Sequence, residues 1–119
     1  MVGASGIAPG AHGIHLHTVG SCSGPGFASA GGHLNPLGRQ HGSLAMDGQH
    51  AGDLPNIAIG AGGTGTLNAD LTGSLREVRN WLFDADGSAI VIHADPDDYR
   101  TDPSGNSGTR IACGVLRPA

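Results

Sequence analysis

The chain has 119 residues, 22 of them Gly and 7 Pro, with 3% aromatic residues and a formal net charge of −4. That length suits one domain, 1–119, with a modest core, and the Gly and Pro content predicts short strands joined by long turns rather than helices. The acidic balance and the lack of any Lys/Arg run argue against a nucleic-acid partner, and no apolar stretch approaches the roughly 18 residues that cross a bilayer, so no membrane partner is expected.

Residues 1–10 have neither a basic n-region nor an apolar h-region, so no signal peptide is read in this chain. β-branched or alternating apolar residues bounded by Gly, Asp and Pro predict six strands, near 2–7, 13–18, 56–59, 65–71, 88–93 and 110–116. The second lies in the run His-Gly-Ile-His-Leu-His at 12–17. Residues two apart on an extended chain share a face, so His15 and His17 can reach one ion while Ile14 and Leu16 point into an apolar core. His12 faces the other way on a regular strand and is kept off the metal set.

The stretch 19–55 shows little periodicity and many glycines. Loops of that length are uncommon unless something functional orders them, and the histidines inside this one supply a reason. His33, His41, His50 and Asp53 are separated by seven, eight and two residues. Each alone could be an ordinary loop residue, but together they suit a closed four-coordinate site of three imidazoles and one carboxylate, within zinc's range. The segment 60–65 is a glycine-rich turn. His93, ending the strand at 88–93, adds to His15 and His17 a second nitrogen-rich cluster of the kind imidazole offers to copper. Taken alone, Asp97 reads as a loop carboxylate capping its own turn and Arg110 as a solvated charge. The two cysteines, Cys22 and Cys113, are either reduced core thiols or a pair.

Five ordered motifs go further: Gly-Ile-His-Leu-His at 13–17, Ser-Ala-Gly-Gly-His-Leu-Asn-Pro at 29–36, His-Ala-Gly-Asp-Leu-Pro-Asn at 50–56, Val-Ile-His-Ala-Asp-Pro-Asp-Asp at 91–98, and Gly-Asn-Ser-Gly-Thr-Arg-Ile-Ala-Cys-Gly-Val-Leu at 105–116. From about 12 to 116 the chain resembles a copper/zinc superoxide dismutase of bacterial type. The resemblance implies an all-β fold, a Greek-key, immunoglobulin-like β-sandwich or barrel with long metal-binding loops. It implies an enzyme that converts superoxide to dioxygen and hydrogen peroxide with copper and zinc as cofactors. Copper would be held by His15, His17, His33 and His93, and zinc by His33, His41, His50 and Asp53, with His33 bridging the two. Arg110 and His33 would be the catalytic residues, and Asp97 would bond one copper-ligand and one zinc-ligand histidine, fixing their tautomers. The resemblance also pairs Cys22 with Cys113, tying the metal loop to the barrel, which implies an oxidising compartment: periplasmic or otherwise extracytoplasmic. The alternative is a non-catalytic copper/zinc-binding module, which needs the histidines but neither Arg110 nor an open copper position.

The chain departs from that family in one large respect. Members normally carry about two more strands, a hairpin, before the segment at 2–7, so the domain is expected to be N-terminally shortened, with a strand edge unpaired. Such an edge favours self-association into a homo-oligomer. The loop between His93 and Arg110 also lacks the Glu and Lys cluster of animal enzymes, which leaves steering to Arg110 and Arg100.

Overall fold

A computed structural model describes residues 2–23, 25–34, 54–67, 80–83, 87–99 and 107–116. The strands are β1 (Val2–Ala4), β2 (Gly10–His12), β3 (Ile14–His17), β4 (Ile57–Ile59), β5 (Gly65–Leu67), β6 (Ala89–His93) and β7 (Arg110–Val115). All six predicted strands are present, five of them shorter than expected; residues 68–71 of the fourth lie outside the described set. The strand not foreseen is β2, whose sequence Gly-Ala-His has no apolar alternation and which is extended because it pairs with β4. The loop after β3 holds a 3₁₀ segment, Pro25–Ala30, kinked where Gly26 and Phe27 take left-handed backbone angles. Residues 80–82 are helical and bring Trp81 and Leu82 onto the core.

Every pairing is antiparallel: β1 with β5, β2 with β4, and the three-stranded order β3-β6-β7. β2 and β3 form one path bent at Gly13, so the first half pairs with β4 and the second with β6. A side chain at residue 13 is excluded by space, because a Cβ there would lie 2.8 Å from Ser107 Cβ. The same close approach lets the bend keep its main-chain hydrogen bonds, Gly13 N–H to Asp95 O and His93 N–H to Gly13 O, both 2.8 Å. β4 and β5 are joined by the predicted glycine turn, with Gly60 N–H donating to Thr64 O and Gly63 N–H to Gly60 O at 2.9 Å each.

The register divides the β3-β6-β7 sheet into two faces. Ile14 pairs with Ile92 and Leu16 with Ile90, and across β7 these meet Ala112 and Gly114. This face packs into the main core with Leu34, Leu54, Ile57 and Ile59. The opposite face carries His15 beside Val91 and Cys113, and His17 beside Ala89. Ala89 and Val91 form a second cluster with Ala30 of the loop, against which Cys22 and Cys113 pack. The loop is thus fastened over the histidine face by apolar contacts and by the Cys22–Cys113 disulfide, whose Cα atoms are 5.8 Å apart. Strand residues on both faces are buried, so β3 reads Ile-His-Leu-His with all four inaccessible.

Candidate metal centre

The period of two in β3 puts His15 and His17 on the loop-covered face, and the pairing with β6 adds His93 to it. His33 comes from the returning loop, which runs along β3: Thr18 N–H donates to Gly32 O (3.0 Å), Leu34 N–H to Leu16 O (2.8 Å), and His33 forms a bridge with His17. The His33 ring stacks on His15 with centroids 4.0 Å apart and meets His17 edge-on at 4.9 Å. One ring nitrogen from each of His15, His17, His33 and His93 lies within 4.8 Å of the others, a grouping able to hold a metal ion.

Which nitrogen faces inward is set by what holds the other. His15 Nε2 donates to Asp97 Oδ2 at 2.6 Å, His17 Nδ1 to Gly31 O at 2.8 Å and His93 Nδ1 to Gly108 O at 3.1 Å. Each donor nitrogen carries the proton, so the neutral ring presents a lone pair at the other: Nδ1 of His15, Nε2 of His17 and His93. His17 Nε2 and His93 Nε2 are buried and accept no hydrogen bond among the described residues. Burial holds both rings neutral. It lowers His17 from 6.5 to about 3, against the Gly31 hydrogen bond and with help from His33, and lowers His93 in the same direction. Convergent, neutral, inward-facing imidazole nitrogens are the donor set copper takes.

Arg110 opens β7 opposite His93 of β6, where the β6–β7 register shifts between Ile92 and His93. A bulge of this kind re-aims side chains at the edge of a site. Its guanidinium donates through Nη1 to Phe27 O (3.0 Å) and through Nη2 to Gly31 O (2.6 Å). Both carbonyls belong to left-handed residues, Phe27 at φ 56° and Gly31 at φ 75°. For Phe27 this is a strained conformation, kept by the surrounding contacts. The Gly31 carbonyl therefore serves Arg110 and His17 together.

His12 is separate from the cluster: its Nδ1 lies 2.8 Å from His93 O and its Nε2 2.7 Å from Ala8 O, so both ring nitrogens face main-chain carbonyls. Of the residues singled out from the sequence, His15, His17, His33, His93, Asp97 and Arg110 come together, and Cys22 and Cys113 are joined. His41, His50, Asp53 and Arg100 lie outside the described residues. The carbonyls of Phe27, Gly31 and Gly108 escaped the sequence, because a carbonyl acceptor carries no side-chain signature. Gly31, inside the motif at 29–36, and Gly108, inside the motif at 105–116, are the places where a signal existed.

A sequence profile of the copper/zinc superoxide dismutase (SODC) family matches residues 1–116. The chain belongs to this family. It is 48% identical over 118 residues to superoxide dismutase [Cu-Zn] 2 of Aquifex aeolicus, a match covering 96% of this chain and 68% of that protein. It is also 48% identical over 118 residues to the superoxide dismutase-like protein YojM of Bacillus subtilis, of whose length the match covers 60%. The crystal structure of a SOD-like protein from Bacillus subtilis superposes with a TM-score of 0.87 at 45% identity, over 97% of this chain and 78% of that one. Copper and zinc are the metals of the family, and the histidine cluster fits a metal ion by its donor set and geometry. The fold is that of the family as well, antiparallel sheets with loops over one face.

Proposed function

We propose that this chain, as one domain over 1–119, dismutates superoxide to dioxygen and hydrogen peroxide. The observation that carries the proposal is the convergence of four histidine nitrogens within 4.8 Å, with the Arg110 guanidinium on the same Gly31 carbonyl that holds His17. Copper would be held by His15, His17, His33 and His93, and zinc by His33, His41, His50 and Asp53. Bound copper supplies one-electron exchange with superoxide, and zinc, having no redox chemistry, holds His33 and its loop.

The protein's own residues do the rest. Arg110, fixed by two carbonyls, attracts and orients a small anion beside the cluster. The net charge of −4 does not oppose this, because a local potential in a cleft governs approach. Asp97 keeps the His15 proton on Nε2, so that Nδ1 stays a ligand. His33, whose ring stacks on His15 in the cluster, would hold and deliver a proton that peroxide formation consumes. Two superoxide ions and two protons give one dioxygen and one hydrogen peroxide.

The substrate is superoxide, and the protein works in the periplasm or another extracytoplasmic space as an antioxidant enzyme. The disulfide and the copper/zinc relatives support that location; no helix among the described residues is long and apolar enough to cross a membrane. A protein that only binds copper and zinc is the competing function, and the "-like" in the name of one relative keeps it in play. Reconstitution decides between them. The metal-loaded chain is expected to hold one copper and one zinc and to remove superoxide, while His93→Ala loses activity and copper but keeps zinc. Stoichiometric copper and zinc without dismutation would establish the binding module, and full activity in His93→Ala would overturn the copper site.

A further inference from the structure

Asp97 is itself held by a closed ring of hydrogen bonds through Asn56 and Tyr99, of which Tyr99 lies outside every metal-site motif. One carboxylate oxygen, Oδ2, accepts from His15 Nε2 at 2.6 Å, and the other, Oδ1, accepts from the main-chain N–H of Tyr99 at 2.7 Å. The side-chain amide of Asn56 grips the Asp97 main chain at both ends: Asp97 N–H donates to Asn56 Oδ1 (2.8 Å), and Asn56 Nδ2 donates to Asp97 O (3.1 Å). The Tyr99 hydroxyl closes the ring by accepting Asn56 N–H at 2.9 Å. Asn56 immediately precedes β4, and Tyr99 lies 43 residues away in the loop after β6, so the ring joins two segments that share no strand pairing.

Tyr99 sits at φ 63°, a left-handed angle that a bulky aromatic residue adopts only when its surroundings enforce it. The angle has a use. It turns the Tyr99 N–H back onto Asp97 Oδ1 while the ring and hydroxyl reach across to Asn56. The carboxylate is thereby clamped from both sides, with 4% of Asp97 exposed.

We propose that Tyr99, acting through Asn56, is a positioning residue that aims the Asp97 carboxylate at His15 Nε2 and so fixes the tautomer in which His15 Nδ1 faces the metal centre. The role of His15 Nδ1 as a copper ligand rests on the function proposed above; the ring and the tautomer exist without a metal. A carboxylate on a free loop would reorient and let the His15 proton exchange between its two nitrogens. The clamp removes that freedom before any metal arrives, in keeping with outer partners of ligating histidines tuning affinity by about 10- to 100-fold.

The test uses the full chain, metal-free, with nitrogen-15 NMR of the His15 ring, followed by copper binding to the zinc-loaded form. Tyr99→Phe keeps the aromatic ring and removes only the acceptor for Asn56 N–H. The expected result is a mixed His15 tautomer and faster solvent exchange of the Nε2 proton, with backbone amide shifts elsewhere unchanged. Asn56→Ala should give the same signature, more strongly. In the zinc-loaded protein, Tyr99→Phe should release copper about ten-fold faster and alter its electron paramagnetic resonance spectrum. A lower melting temperature with the wild-type tautomer, exchange rate and copper spectrum would make Tyr99 merely structural and overturn the proposal. Failure of the wild-type chain to bind copper would instead strike at the function, and the metal-free His15 tautomer would still decide the role of Tyr99. If Asn56→Ala does not fold, Tyr99→Phe alone decides.

Discussion

His17 shows how burial and one main-chain carbonyl prepare a ring nitrogen for a metal. Its ring is fully buried, burial lowers its pKa to about 3, and the Gly31 carbonyl fixes its proton on Nδ1. The consequence for stability has a definite sign. Between pH about 6.5 and about 3 the unfolded chain takes up a proton at this residue that the folded chain refuses, so the metal-free protein loses stability as pH falls through that window; His93 acts in the same direction. Thermal melts of the metal-free chain should show a falling melting temperature below about pH 6.5, and His17→Gln should flatten the fall. An equal slope in wild type and variant would show that other groups cause it. Arg110 is the second residue whose setting makes a prediction. If its charge orients the substrate, Arg110→Gln should slow dismutation by about ten-fold or more at unchanged copper content, and the wild-type rate should fall with salt more steeply than the variant's. Matching rates and salt responses would remove Arg110 from the mechanism.

At the scale of elements, the division of labour lies in the two faces of the β3-β6-β7 sheet. One face is core and the other is site, and the same strand residues build both by alternation. The six predicted strands were readable because they carry that alternation or a β-branched run. β2 was not, since Gly10, Ala11 and His12 are extended only through β4. Among the described residues β7 pairs on one side only, with β6, and Ile111 and Val115 are 39% and 44% exposed. Beside it a slot of about 180 Å³ opens between β1 and β7, lined by Ile7, Ile90, Ile92 and Ala112 among others. An edge strand with apolar side chains is a pairing template. The 119-residue chain should therefore self-associate with rising concentration, and Ile111→Lys should shift it toward the monomer in light scattering. A monodisperse monomer at every concentration would show the edge to be covered.

For the molecule as a whole, one covalent link joins the loop to the sheet across 91 positions of sequence. Closing a loop of that size restricts the unfolded chain by about 4 to 5 kcal/mol on the chain-entropy account, a large share of the roughly 5–15 kcal/mol that keeps a domain folded. Metal binding to the folded form adds stability by mass action. Reduction of Cys22–Cys113 should lower the melting temperature of the metal-free chain strongly and that of the copper- and zinc-loaded chain less, since His33 comes from the same loop and would tie it to a bound metal. Equal losses in the two states would mean that loop and metals do not act on a common element.

The sequence by itself determined which residues could be ligands and on which face they stand. Alternation along 12–17 separates His15 and His17 from Ile14 and Leu16 without any knowledge of what packs above them, because the strand period is a local property of the backbone. The five motifs determined the family. Tertiary structure alone decided the chemistry of each nitrogen. Whether His15 presents Nδ1 or Nε2 depends on Asp97, 82 residues away, and the state of His17 and Arg110 depends on the carbonyls of Gly31 and Phe27. Those partners meet only when the loop folds back on the sheet, and two of them are main-chain atoms common to every residue, so no pattern of side chains could have announced them.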